Sequence, residues 1–392
     1  MKISQVASLM NTVTSELVGD VAVLNEDLSN VVDAGKALFD NVSYDKFVNA
    51  LVDRIGKVIF VERKYYGNTL ALYRDNFEYG SVVEKISLVS LPEAEENDTW
   101  KLQPGASYDP NVFTRPDVMA KFFDEHMTFQ VPLSIADKQV KSAFTSASQL
   151  NSFVSMLWDG VDKSMTLKLE GLASRTVNSF IASTLANEFP SVSDNDYSGS
   201  TGVKAINLLK LYNDQFSGAT TTKAACLYNP EFIRFASLVI RKTISRMTKL
   251  STLYNIGGAP RFTPSDKQHL VLLSDFKAAA DVYLQSDTFH EEFTALPKSA
   301  EVPYWQGSGT GYALDSVGNV HCQVKVGDTL KEIDIKDVLG VAFDHDACGI
   351  YQENQRVTSN YNGEAEFTNY WTKYDAGCFR DENENFVVFF IA

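Results

Sequence analysis

The sequence predicts an α+β chain built on a two-stranded hairpin, one long helix and a C-terminal strand covered on both faces. Three observations carry this. Residues 122–133 alternate apolar and polar, the period of a strand with one packed face. Residues 150–185 keep apolar side chains at three- and four-residue steps. The chain then ends on the unbroken apolar run Phe386-Val387-Val388-Phe389-Phe390-Ile391. Composition permits such a core: of 392 residues, 44% are apolar and 12% aromatic, with 25 Phe and 17 Tyr. A disordered chain carries few aromatics.

The first elements along the chain read as helices. Val6, Leu9, Met10, Val13 and Leu17 share one face, and Phe47, Leu51 and Ile55 share another over 44–55. From Tyr73 to Leu91 the chain is extended in character, with Val82, Val83, Ile86, Leu88 and Val89 among Glu84, Lys85 and Ser87. In the second strand Phe123, Met127, Phe129, Val131 and Leu133 fall on one face and Asp124, His126, Thr128 and Gln130 on the other, with Glu125 breaking the pattern. Two readings follow for the hairpin. An unbroken first strand of nineteen residues spans roughly 60 Å and projects beyond any compact body. If Gly80 splits it, the pieces fold back into a local sheet.

The long helix has Ser146 or Ser148 as its N-cap and stops near Asn187 and Pro190. About 36 residues give a helix of roughly 54 Å, without the sustained heptads of a coiled coil. Residues 202–340 mix helix and strand. Helices are expected at 203–215 and 230–250 and a strand at 269–274, with glycine-bearing loops at Gly257-Gly258 and 307–311. Further strands are expected at 338–343 and 356–359.

Charge and motifs exclude much. Thirty-five basic and 50 acidic residues give a net charge of −15, which disfavours a general nucleic-acid binder or a protein that docks on anionic membranes. No apolar run is long enough to span a bilayer, and the N-terminus lacks a secretory h-region. Cys226, Cys322, Cys348 and Cys378 lack the spacing of a zinc or redox motif. The run Gly307-Ser308-Gly309-Thr310-Gly311 lacks the Lys-Ser/Thr of a phosphate loop. Asp344-His345-Asp346 with Cys348 reads as a sheet-edge turn rather than a metal site. Lys242, Arg246 and Lys249 share a helix face that is solvated or paired with acidic neighbours, with a subunit contact as the next reading. Asp375, Asp381, Glu382 and Glu384 read as surface charge. No catalytic, cofactor-binding or metal-binding residue is assigned.

Several segments taken together resemble the major capsid proteins of tailed double-stranded DNA bacteriophages, which have the Hong Kong 97-type fold. These are Glu78-Tyr79-Gly80, Pro92 to Trp100, Lys121-Phe122-Phe123, Ala143 to Ala147, Arg261-Phe262-Thr263-Pro264, Tyr283 to His290, Tyr304 to Gly309, Arg356 to Asn362 and Glu384 to Phe389. The resemblance implies an N-terminal arm (1–60), an extended β-hairpin loop with flanking strands (61–138) whose tip lies near 93–117, and a peripheral-domain spine helix (139–201). It implies an axial domain over 202–340 and peripheral-domain C-terminal strands over 341–392. It also implies homo-pentamers and homo-hexamers that close an icosahedral shell around genomic DNA, without sequence-specific binding, without substrate and without a cofactor. Scaffolding, portal and decoration proteins are the expected partners, and the virion capsid, assembled in the bacterial host cytoplasm, is the expected location. With about 60 residues ahead of the hairpin, no cleaved N-terminal scaffolding segment is expected, and no crosslinking residue is carried over. Two alternatives stand beside this reading: an encapsulin-type compartment shell, and a cytosolic carbohydrate-active hydrolase using Trp305 and the acidic C-terminal region.

Overall fold

A computed structural model describes residues 83–89, 101–107, 115–136, 147–192, 194–285, 299–305, 320–326 and 329–392, with a few single positions between them. The two N-terminal helices, Gly80 and the 307–311 loop lie outside the described residues. The elements run β1 (Val83–Leu88), β2 (Val118–Phe123), β3 (His126–Ala136), α1 (Ala147–Glu188), β4 (Ala205–Asn207), α2 (Leu208–Gln215), α3 (Pro230–Met247), β5 (Gln268–Leu273) and α4 (Ser274–Gln285). There follow β6 (Ala300–Val302), β7 (Val320–Val326), β8 (Thr329–Ile335), β9 (Val338–Asp344), β10 (Cys348–Asn362), β11 (Phe367–Arg380) and β12 (Phe386–Phe390). The chain divides into two compact units, one of residues 1–65, 131–164 and 357–372, the other of 66–130, 165–356 and 373–392.

The larger unit is built on a five-stranded sheet in the order β4-β12-β9-β5-β6. The terminal apolar run explains this order. β12 lies inside the sheet, parallel to β4 and antiparallel to β9, so both of its faces must be covered. Val387, Phe389 and Ile391 pack into a cluster with Leu208 and Tyr212 of α2, Phe232, Ile233 and Ile240 of α3, and Phe276 of α4. On the other face Phe386 stacks on Phe180 of α1, centroids 4.0 Å apart, and Phe390 meets Phe189 just beyond that helix. Val177, Ile181 and Leu185 of α1 are fully buried as well.

The long helix spans 42 residues, about 63 Å, and ends before Pro190 as the sequence expects. The helix expected at 203–215 needs correction. Residues 205–207 form a strand, and only 208–215 are helical. The Lys204 carbonyl accepts from Val388, which takes it out of any helical ladder, and the Val203 and Lys204 amides donate to the Glu188 carboxylate. A Cβ on Gly202 would collide with that same carboxylate. The helix expected at 230–250 ends at Met247, and Ser274 opens α4 rather than ending the strand before it.

Strands β10, β11 and β3 make a three-stranded sheet in that order. Within the larger unit Tyr374 of β11 donates to the Met165 carbonyl at 2.8 Å and packs on Phe129 of β3. Within the smaller unit Ser134 donates to Asn369 at 2.6 Å, and Trp158 meets Tyr370 edge-on.

Asn207 joins strand, helix and chain end. It is fully buried, its side-chain oxygen accepts from the Lys210 amide to cap α2, and its Nδ2 donates to the carbonyls of Tyr197, Ser198 and Ala392. Asn207→Ala is therefore expected to lower the unfolding free energy by about 1–3 kcal/mol. The urea midpoint, at unchanged slope, measures it.

Candidate assembly interface

The β1–β2 hairpin is the part of the larger unit whose polarity runs against expectation. Its strands pair antiparallel from Val83↔Phe123 to Leu88↔Val118, extended by the Val89 amide donating to the Asp117 carbonyl at 3.0 Å. Side chains alternate between two faces. The half-buried face carries Val83, Lys85, Ser87, Met119, Lys121 and Phe123. The exposed face carries Glu84, Ile86, Leu88, Val118, Ala120 and Phe122. The lysines thus point inward while Ile86 and Phe122 stand 65% and 64% exposed. Farther along the hairpin loop Leu102 and Phe113 are 77% and 84% exposed.

The inward lysines are held by the turn that follows β11. Asp381 Oδ2 lies 2.8 Å from Lys85 Nζ, and Asp381 Oδ1 lies 2.8 Å from Lys121 Nζ. Glu384 Oε1 takes Lys85 at 2.7 Å and Arg261 Nε at 3.2 Å. The Asp346 carbonyl receives a third bond from Lys85 at 3.1 Å, which uses every donor of that ammonium. Both carboxylates are nearly sequestered from solvent. The turn itself is fastened by backbone bonds: Asp381 donates to Ala347, Glu384 to Asp381, and Gly257 to Glu382. Asp381 and Glu384 are therefore not the surface charges the sequence suggested. A strand lysine in the packed phase was the signal that an acid must stand opposite it.

Electrostatics follow from this geometry. Burial alone would raise the Asp381 carboxyl, but hydrogen bonds from Lys121 and Lys85 outweigh it and hold it below the ordinary value. Asp346 behaves alike, with burial overcome by Lys267 at 3.1 Å. Asp344 goes the other way, raised by burial and by the nearby charges of Glu384 and Asp346 although it accepts from the Asp346 amide.

The other singled-out residues fall as follows. Asp344, His345 and Asp346 turn the chain from β9 into β10, and buried Cys348 opens β10. His345 Nδ1 lies 2.9 Å from His269 Nε2. Among the described residues no group of His, Cys, Asp and Glu could hold a metal ion. Lys242, Arg246 and Lys249 do share an exposed face of α3 and its end, beside Leu238 at 62% exposure. Asp375 pairs with Arg356 at 2.6 Å and accepts from Thr128. Trp305 is buried and donates to the Val338 carbonyl, so its ring is no open platform for a sugar.

The family model for Phi29-like phage major capsid proteins matches residues 10–390. The chain belongs to that family. It is 31% identical over 123 residues to a major capsid protein of Bacillus phage GA-1, a match covering 31% of this chain and about a quarter (24%) of that protein. In three dimensions it is similar to a chain in the capsid structure of Staphylococcus phage Andhra, with a TM-score of 0.51 at 9% identity over 86% of this chain and 87% of that one. It is equally similar to a chain in the structure of the head fiber and inner core protein gp22 of native bacteriophage P68, with a TM-score of 0.52 at 10% identity over the same shares. The fold is α+β and of the Hong Kong 97 type found in phage capsids. The compartment-shell and hydrolase alternatives gain no support from these comparisons. No described helix is long and apolar enough to cross a membrane.

The lowered carboxyls fix a pH dependence for this capsid protein. Their stabilisation is present above the ordinary aspartate value of 3.8 and is lost as pH falls through their lower folded values. Asp344, being raised, gains on acidification instead. The hairpin should stay docked from pH 7 to 5 and release below about pH 4, seen as faster proteolysis within residues 83–123. Release already between pH 7 and 5 would contradict this.

Proposed function

We propose that this capsid-family chain self-assembles through homo-pentamers and homo-hexamers into an icosahedral phage head enclosing double-stranded DNA, and that a neighbouring copy covers the outward face of its β1–β2 hairpin. The observation that carries the reading is the inversion of hairpin polarity: Ile86, Leu88, Val118 and Phe122 are left in water while lysines point inward. Covering four such side chains is worth about 1 kcal/mol each, since about half of each is already buried. A two-stranded hairpin is marginal alone in water, so an arm of this kind gains from a surface to lie on. The chain divides in this reading as arm 1–60, extended loop 61–138, spine helix 139–201, axial domain 202–340 and returning strands 341–392. It acts by assembly, without substrate or turnover, alongside scaffolding, portal and decoration proteins. The net charge of −15 suits an inner wall that contains DNA by closure and lets it slide during packaging.

Electron microscopy and size exclusion of the expressed chain, with its scaffold, test the proposal. Closed shells are expected from the native sequence. Ile86→Asp with Phe122→Asp, or deletion of Pro92 to Thr114, should leave folded subunits that fail to close shells. Shells of normal yield from both variants would remove the hairpin from the interface.

A further inference from the structure

The hairpin register places Lys85 directly opposite Lys121 on the same face. Like charges directly opposed across an antiparallel pair destabilise it. Their nearest neighbours on that face, Val83, Ser87, Met119 and Phe123, carry no charge to relieve them. Relief comes from outside the hairpin. Asp381 gives one carboxylate oxygen to each lysine, both at 2.8 Å, and is held from behind by the Asn383 amide donating to Oδ1 at 3.1 Å. We propose that Asp381 is the positioning residue of the arm: its bridge between Lys85 and Lys121 makes strand pairing in the hairpin depend on docking against the turn after β11, and so fixes which face the arm turns outward.

The physics separates this role from that of an ordinary ion pair. Lys85 has two other acceptors, Glu384 and the Asp346 carbonyl. For Lys121 the bond and ion pair given by the structure are both to Asp381. Without the Asp381 charge, Lys121 faces Lys85 uncompensated, and the strands are pushed apart as well as released from the body. The harm comes from the second lysine as much as from the missing acid. Removing the Lys121 charge in that background should therefore repair the damage, whereas an ordinary contact would only be lost twice. This inference rests on the assembly reading for its shell readout alone; the docking readout uses the unassembled subunit.

The experiment is hydrogen exchange of residues 83–88 and 118–123 in the full-length unassembled chain, with shell yield scored separately. Asp381→Asn should speed exchange of both strands about tenfold or more while residues 386–390 stay protected. Asp381→Asn with Lys121→Gln should return the strands to within about threefold of the native rate. Should Asp381→Asn alone not fold, the double variant Asp381→Asn with Lys121→Gln should itself fold, with both strands again within about threefold of the native rate. Unchanged exchange in a folded Asp381→Asn, or failure of both variants to fold, overturns the proposal. So does a double variant whose strands exchange as fast as those of Asp381→Asn. Restored protection without restored shells supports the bridge and counts against the assembly reading instead.

Discussion

A carboxylate taken out of water must be matched by cations held close to it. In this chain the match is made across about 260 residues, between Lys121 of the hairpin and Asp381 of the turn before the last strand. Because the matching cations sit on two paired strands, one acid ties both strands to the body. Arg261 and Glu384 extend the cluster to the loop that carries Gly257 and Gly258, and the Asp346 carbonyl brings in the turn between β9 and β10. Three loops and two strands thus meet at one small set of charges. Ile86, Leu88, Val118 and Phe122 are left on the outside as the geometric consequence of a period-two strand.

The body that receives the hairpin depends on β12 being covered twice. One face of that strand meets α1, the other meets α2, α3 and α4, and its flanks are β4 and β9. The sheet therefore cannot form until segments far apart in the chain have met. That placement also brings the 381–385 turn to one end of the sheet, since it leads directly into β12. Order in the anchor and order in the core come from the same strand.

The sequence was readable where one local period decided the structure. The run at 386–391 gave a strand covered on both faces, and the apolar steps from Leu150 gave α1. Alternation through Phe122 to Leu133 reads as one strand, the second of the hairpin; the structure instead divides it beside Glu125, where the pattern broke, so that β1 pairs with β2 over 118–123 while β3 joins β11. It was unreadable where a distant partner decided. Residues 205–207 became a strand because β12 pairs with them, while Glu188 holds the amides of Val203 and Lys204 just ahead. The length of β10 comes from the pairing of a largely polar stretch, and β11 carries its aromatic residues without one sustained period, so neither announces itself locally. Asp381 and Glu384 looked like two more acids in an acidic protein, because only the folded chain reveals the lysines that face them. The lysines themselves were a usable sign, since Lys121 stands in phase with Met119, Phe123 and Met127 on a face that packs.

A reconstruction of assembled shells at side-chain resolution tests the central claim most directly. In each subunit Lys85 and Lys121 should converge on Asp381, and Ile86, Leu88, Val118 and Phe122 should lie beneath a neighbouring copy. A closed shell in which those four side chains still face solvent, or in which the two lysines have left Asp381, would contradict it.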